Sequence, residues 1–251
     1  MTLMRLDHVD LPTGLASLDL SRATAVVFDV VRATTTMVAA LANGAAEIRA
    51  FAELDGARAA HAAFGGAKLL AGEYRTLRPE DFDLGNRPPE FTRERVEGRT
   101  IFMATTNGTR AVRACATARR TFVATLANAS AMARRLAADD ADVVLVGSGV
   151  DGAPGGEDLD GVATVADALM RLRGDAALSP RLRELVRECS WLSNDFHPVQ
   201  RLRNSPGGRN LIMSGLDEDI PFIAELDRET LVAEVVHGPA FATVRRTSSP
   251  A

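Results

Sequence analysis

The sequence predicts an α/β protein of layered α/β/α type, a largely parallel sheet with a helical C-terminal part packed on it. Three observations lead there. Short apolar runs rich in Val, Ile, Leu or Phe recur along the first three fifths of the chain. Longer amphipathic stretches separate them, many closed by glycine, which is the alternation of successive β-α units. After Asp175 that alternation gives way to helical patterning.

In chain order, the runs at 25–30, 47–51, 68–71, 100–104, 121–124 and 142–146 are short and apolar enough to be strands buried on both faces. The intervening stretches at 34–43, 54–64, 109–117, 130–138 and 159–173 read as helices, the first two stopped by Gly44 and Gly65. Ser179-Pro180 opens a further helix as N-cap and first-turn residue. Residues 231–236 and 241–244 form a late strand pair around His237-Gly238-Pro239, and 247–251 is a frayed tail. The longest irregular stretch, 76–89, holds three prolines and is a candidate active-site loop. No low-complexity linker interrupts the 251 residues, so we expect one compact unit, or two intimately packed halves near 1–140 and 141–251.

Composition narrows the function classes. The formal net charge of −4, from 29 basic and 33 acidic residues, gives no electrostatic footprint for nucleic acid or a membrane surface. The N-terminal residues lack a signal-peptide pattern, and no run reaches the roughly 18 apolar residues of a membrane span. A cytoplasmic protein is expected, and nothing in the pattern argues against a homo-oligomer. Cys115 and Cys189 have neither disulfide-framework nor metal-ligand spacing. His8, His61, His197 and His237 are scattered and read as structural or surface residues, and Trp191 and Phe196 as packing residues.

Ligands of open parallel sheets bind beyond the carboxyl ends of the strands, and four chemically loaded segments fall there. In Phe28-Asp29-Val30-Val31-Arg32-Ala33-Thr34-Thr35 a carboxylate ends a strand, and a guanidinium and hydroxyls lead into a helix. Ala71-Gly72-Glu73-Tyr74-Arg75 again pairs an acid with a guanidinium. Thr105-Thr106-Asn107-Gly108-Thr109 puts hydroxyls, an amide and a glycine at a strand-to-helix turn, a setting that favours an oxyanion. The glycine-rich segment 147–161 ends in Glu157, Asp158 and Asp160. Each residue taken singly reads equally as a helix cap, a dipole-compensating acid or a surface ion pair. Their joint recurrence points to a site for an anion and a cation together. The P-loop spacing is absent, so nucleotide binding is not indicated.

These segments resemble the 2-phosphosulfolactate phosphatase family. The resemblance also takes in Ala42-Asn43-Gly44-Ala45, Phe82-Asp83-Leu84-Gly85-Asn86-Arg87-Pro88 and Gly156-Glu157-Asp158. Farther on it covers Ser205, Gly208-Arg209, Leu211, Gly215, Asp219-Ile220 and Asp227. Val31 stands where the family usually has Leu, and Leu159-Asp160-Gly161 where it has a cysteine-containing stretch. The resemblance implies Mg²⁺-dependent hydrolysis of a small anionic phosphorylated substrate, 2-phosphosulfolactate, to sulfolactate and phosphate, a step in making coenzyme M.

On this reading Asp29, Arg32 and Glu157 are catalytic, and Asp29, Glu73 and Asp158 hold the metal. Thr34, Thr35, Arg75, Asn86, Thr105, Thr106, Asn107, Gly108 and Thr109 contact the substrate. Two rivals stand beside it. One makes Asp29 a covalent nucleophile, although the second acid of the Asp-x-Asp pattern is replaced by Val31. The other is a non-catalytic sensor of a small sulfonated or phosphorylated acid.

Overall fold

The computed structural model describes residues 4–174, 178–189 and 197–247; the expected packing of Trp191 and Phe196 and most of the expected tail lie outside them. The elements run β1 (Leu6–Val9), β2 (Thr24–Phe28), α1 (Ala33–Ala42), β3 (Glu47–Phe51), α2 (Leu54–Ala63), β4 (Lys68–Gly72), α3 (Arg93–Val96), β5 (Thr100–Ala104), α4 (Gly108–Ala114), β6 (Arg120–Ala124), α5 (Ala129–Ala137), β7 (Val143–Gly147) and α6 (Gly156–Arg173). Then come α7 (Pro180–Glu188), α8 (Pro198–Asn204), α9 (Pro206–Met213), α10 (Ile220–Ile223), β8 (Val232–His237) and β9 (Ala242–Thr247). The α/β alternation and the helical segment after it are as the periodicity predicts. β1, which pairs with β7, was not anticipated; its burial alternates, and four residues are too few to stand out.

The nine strands form one mixed sheet in the order β1-β7-β2-β6-β8-β9-β3-β5-β4. β1, β7, β2 and β6 are parallel to one another, as are β3, β5 and β4. The hairpin β8-β9, from the end of the chain, lies between the two blocks and pairs antiparallel with both β6 and β3. The two parallel blocks therefore run in opposite senses. Strand twist of about 20–25° per step, over the six steps from β2 to β4, amounts to roughly 120–150°. That rotation turns the carboxyl end of the second block back toward the first.

The core follows the period of two along each strand. On β2, Ala25 and Val27 face a cluster shared with α1 and α4, while Val26 and Phe28 face one shared with α5 and α6. On β5, Ile101 and Met103 join the α1/α4 cluster, and Phe102 and Ala104 pack with α2 residues on the opposite face. So α1 and α4 lie on a sheet face common to both blocks, which is why almost every residue of α1, its threonines included, is buried. Placing these two helices side by side requires Gly108, where a Cβ would lie 2.5 Å from both Ala33 Cβ and Asp29 Oδ2.

Candidate active site

The loops after β2, β4, β5 and β7, together with the start of α9, enclose a cavity of about 400 Å³. Asp29, Val31 and Arg32 come from the first loop, Glu73, Arg75 and Thr76 from the second, Thr106 and Asn107 from the third, Val150 and Asp151 from the fourth. Asn86 and the α9 residues Gly207, Asn210 and Leu211 complete the wall.

Asp29 ends β2 as the chain turns into α1. Its Oδ1 accepts from the Ala33 N–H (3.1 Å), while the backbone around it is held by Thr34, whose hydroxyl bonds the Asp29 carbonyl (2.9 Å). Among the described residues no protein donor reaches Oδ2. Burial, reinforced by the nearby Glu73 and Glu157 charges, raises the Asp29 pKa to about 6 against the pull of the Ala33 hydrogen bond and Arg32.

Asp158, in the first turn of α6, has a different environment. It accepts four hydrogen bonds: from Val30 N–H to Oδ1 (2.9 Å), and from Ser148 N–H (3.0 Å), the Ser148 hydroxyl (2.9 Å) and Gly149 N–H (2.9 Å) to Oδ2. This carboxyl ties the β2 and β7 loops together and does not line the cavity. Burial drives its pKa well up, as do the neighbouring Asp29 and Glu157.

Glu157 is 1% exposed and sits behind the cavity wall. Its Oε1 accepts from the Gly207 N–H (2.9 Å), and a Cβ on Gly207 would come within 2.2 Å of that oxygen, so only glycine lets α9 approach this closely. Oε2 is buried without a hydrogen-bond partner, and burial raises the pKa.

Glu73 organises a tight turn. Its carboxylate accepts from Thr106 N–H (2.6 Å), the Thr106 hydroxyl (2.9 Å) and Thr76 N–H (2.7 Å). The turn pairs Tyr74 with Leu77 and holds Arg75 and Thr76 at φ 49° and 77°, a left-handed conformation unusual for side-chain-bearing residues. It carries exposed Arg75 to the cavity mouth, where that guanidinium has no ion pair among the described residues.

Arg32 is buried in the wall. It donates through Nη1 to Asp219 Oδ2 (3.2 Å) and through Nη2 to the Thr76 carbonyl (2.7 Å). Arg87 grips the same Asp219 through Nε (3.1 Å to each oxygen) and Nη2 (2.8 Å). Asn86, one residue away, lines the cavity with its buried Oδ1 unpartnered.

Of the residues expected at the site, Asp29, Arg32, Glu73, Arg75, Asn86, Thr106 and Asn107 do line one cavity. Others correct the expectation. The Thr34 and Thr35 hydroxyls bond the Asp29 and Val30 carbonyls, and Thr105 and Thr109 bond each other's backbone; none of the four lines the cavity, because a helix entered from a buried strand turns its first residues inward. Gly108 serves helix packing, Asp158 serves loop tethering, and Glu157 lies one layer behind the wall. Asp151, Gly207, Asn210, Arg87 and Asp219 were not assigned a role from the sequence. Gly207, Asn210 and Asp219 carry no local signal, since α9 and residues 217–219 reach the site only through tertiary packing; Asp151 and Arg87 lie in the segments 147–161 and 76–89 that the sequence singled out.

A sequence model of the 2-phosphosulpholactate phosphatase family matches residues 11–238. The chain belongs to that family. A relative from Synechococcus sp. (strain CC9605) is 39% identical over 223 residues, covering 87% of this chain and 90% of its own length. One from Synechococcus sp. (strain RCC307) is 38% identical over 91% of this chain and 95% of its own, and one from Deinococcus radiodurans is 37% identical over 85% and 88%. Each is named a probable 2-phosphosulfolactate phosphatase.

The residues of this family member can be tested against a divalent cation. The cavity is lined by three carboxylates, Asp29, Glu73 and Asp151, against two guanidiniums, Arg32 and Arg75. A wall built to receive an anion is thus short of positive charge unless a cation sits among the acids. Among the described residues no three acidic, histidine or cysteine side chains converge as a ligand cage. The free Asp29 Oδ2 and the three-bonded Glu73 suit an ion that keeps most of its waters and takes one or two carboxylates, the habit of Mg²⁺. Asp158 does not fit that role, with four donors already on it.

Proposed function

We propose that this protein is a Mg²⁺-dependent phosphatase that hydrolyses the phosphate ester of 2-phosphosulfolactate, or of a closely related phosphorylated hydroxy acid, to the hydroxy acid and inorganic phosphate. The observation that carries the reading is the pairing of a pKa-raised carboxyl, Asp29, bonded at one oxygen only, with a buried guanidinium, Arg32, in one polar cavity of a chain belonging to this family.

Asp29, with Glu73 beside it, would hold the metal, which when bound neutralises phosphoryl oxygens and acidifies water. The protein's own groups do the rest. Arg32 offers planar N–H donors to the phosphoryl group, matching the charge that develops on its oxygens. Arg75 at the mouth meets a second anionic group of the substrate, and Thr106, Asn107 and Asn86 add uncharged polar contacts. Orienting the ester by several such contacts places its phosphorus for attack by water. Glu157, behind the wall, would act only through its charge beside Asp29, not by touching the leaving oxygen. Val31 presents an apolar side chain to the cavity where aspartyl-phosphate enzymes carry their second acid, which supports attack by water over an Asp29 adduct.

The test is phosphate release from 2-phosphosulfolactate and a panel of phosphorylated hydroxy acids, with Mg²⁺, without it, and after chelation. The expected outcome is turnover that chelation abolishes and Mg²⁺ restores, largest for the sulfonated ester. Binding of these esters with no turnover under any condition would replace the enzyme by a sensor of such acids.

A further inference from the structure

Asp219 is 0% exposed and lies beneath the cavity wall, 187 residues along the chain from the arginine it meets. A carboxylate left alone there would be strongly unfavourable. It is not alone: Arg32 reaches it from the cavity side, and Arg87 from the outside, where that guanidinium also pairs with Glu218 and stays 24% exposed.

The way the two arginines share Asp219 has a chemical consequence. Arg87 takes both carboxylate oxygens with three contacts, leaving Arg32 a single one at 3.2 Å. With the Thr76 carbonyl, that engages two of the five N–H donors of the Arg32 guanidinium. The other three make no hydrogen bond among the described residues, and Arg32 lines the cavity. Were Arg32 the sole partner of Asp219, the pair would be neutral and its fork closed. With Arg87 present, itself also paired with Glu218, Asp219 is bonded chiefly from the far side and holds Arg32 in one orientation without closing its fork. The same contacts join three separate segments at the site: the turn at 75–76, the loop at 86–87 and the stretch 217–219.

We infer that Asp219, clamped by Arg87, is a positioning residue that holds the Arg32 guanidinium in the cavity wall with its free N–H donors toward a phosphoryl group. The inference rests on the phosphatase reading of that cavity. It assigns to Asp219 and Arg87 an effect on anion affinity that passes through Arg32 alone.

A double-mutant cycle separates this role from plain structural support. Inorganic phosphate affinity by calorimetry and kcat/KM are measured for the full-length protein, Arg87→Met, Arg32→Met and the double variant, with Asp219→Asn as a further member if it folds by circular dichroism. Arg87→Met spares the buried Arg32–Asp219 pair, so it keeps the test open should Asp219→Asn not fold. In the wild-type background Arg87→Met should weaken phosphate binding and lower kcat/KM by about tenfold, the scale of one ionic hydrogen bond. In the Arg32→Met background it should change phosphate affinity by less than about twofold. An equal loss in both backgrounds, or no loss in either, overturns the inference. If wild-type protein neither binds phosphate nor releases it from any ester, the phosphatase reading itself fails and takes the inference with it.

Discussion

The ends of β2 and β7 lie side by side, Phe28 paired with Gly147, and each is followed by a loop and a helix with an acid near its start. Both acids are buried and both have raised pKa values. Yet Asp158 accepts four hydrogen bonds and touches no cavity, while Asp29 accepts one and faces it. One carboxyl is a strut between loops, and the other is held ready with an unpartnered oxygen. The difference lies in where the neighbouring N–H groups point. Gly149, at φ 73°, turns the β7 loop so that successive amides converge on Asp158.

The comparison breaks most readily in kinetics. Asp29→Asn should lower phosphate release at least a thousandfold, several kcal/mol of transition-state stabilisation, with the fold intact by circular dichroism; a variant with near-normal kcat would remove Asp29 from the chemistry.

The same residue should show itself in stability. Below about pH 3.8 Asp29 is protonated whether folded or not; between 3.8 and about 6 it stays protonated when folded but ionises when unfolded. Unfolding then releases a proton, so its contribution to stability falls as pH rises through that window and stays low above it. Metal-free wild type should therefore lose up to about 3 kcal/mol relative to Asp29→Asn between pH 4 and 7, read from urea midpoints. A constant difference across that range would show that Asp29 is not held protonated by the fold.

Asp158→Asn should behave in the opposite manner. Its amide nitrogen would face N–H donors, costing about 2 kcal/mol of stability by denaturant titration, with activity lost only in proportion to loop disorder. A variant of unchanged stability that lost Mg²⁺ dependence would exchange the roles of the two acids. The smallest effect is expected at the rim, where Arg75→Gln should raise KM roughly threefold to tenfold with kcat nearly unchanged, since an exposed guanidinium acts in high dielectric.

Much of this was readable along the chain. Alternating apolar runs located β2 to β7 and the helices α1, α2, α4 and α5 between them, though not the single-turn α3, because buried parallel strands impose a local pattern on composition. Asp29, Glu73, the Arg32 and Arg75 guanidiniums, and Thr106-Asn107, singled out because polar groups at strand ends keep a local signature, line one cavity. The short β1 was not found, and neither were the roles of Gly207, Asn210 and Asp219, which reach the cavity or its wall only after α9 and the 217–219 segment pack onto the sheet, nor that of Asp151 in the β7 loop.

The sequence by itself therefore determined the elements, their α/β class and which strand ends carry polar groups, since each of these depends on residues within a few positions of one another. Tertiary structure alone decided which of those groups share a cavity. The β8-β9 hairpin reverses one parallel block against the other, and sheet twist returns their ends to a common cavity. Only there does Asp29 keep an oxygen free while Asp158 is bonded on all sides, and only there does Arg32 meet Asp219. A carboxylate's role is set by the donors around it: Asp158 takes three from the nearby β7 loop and a fourth from Val30, 128 residues away, and Asp219 meets Arg32 from 187 residues away.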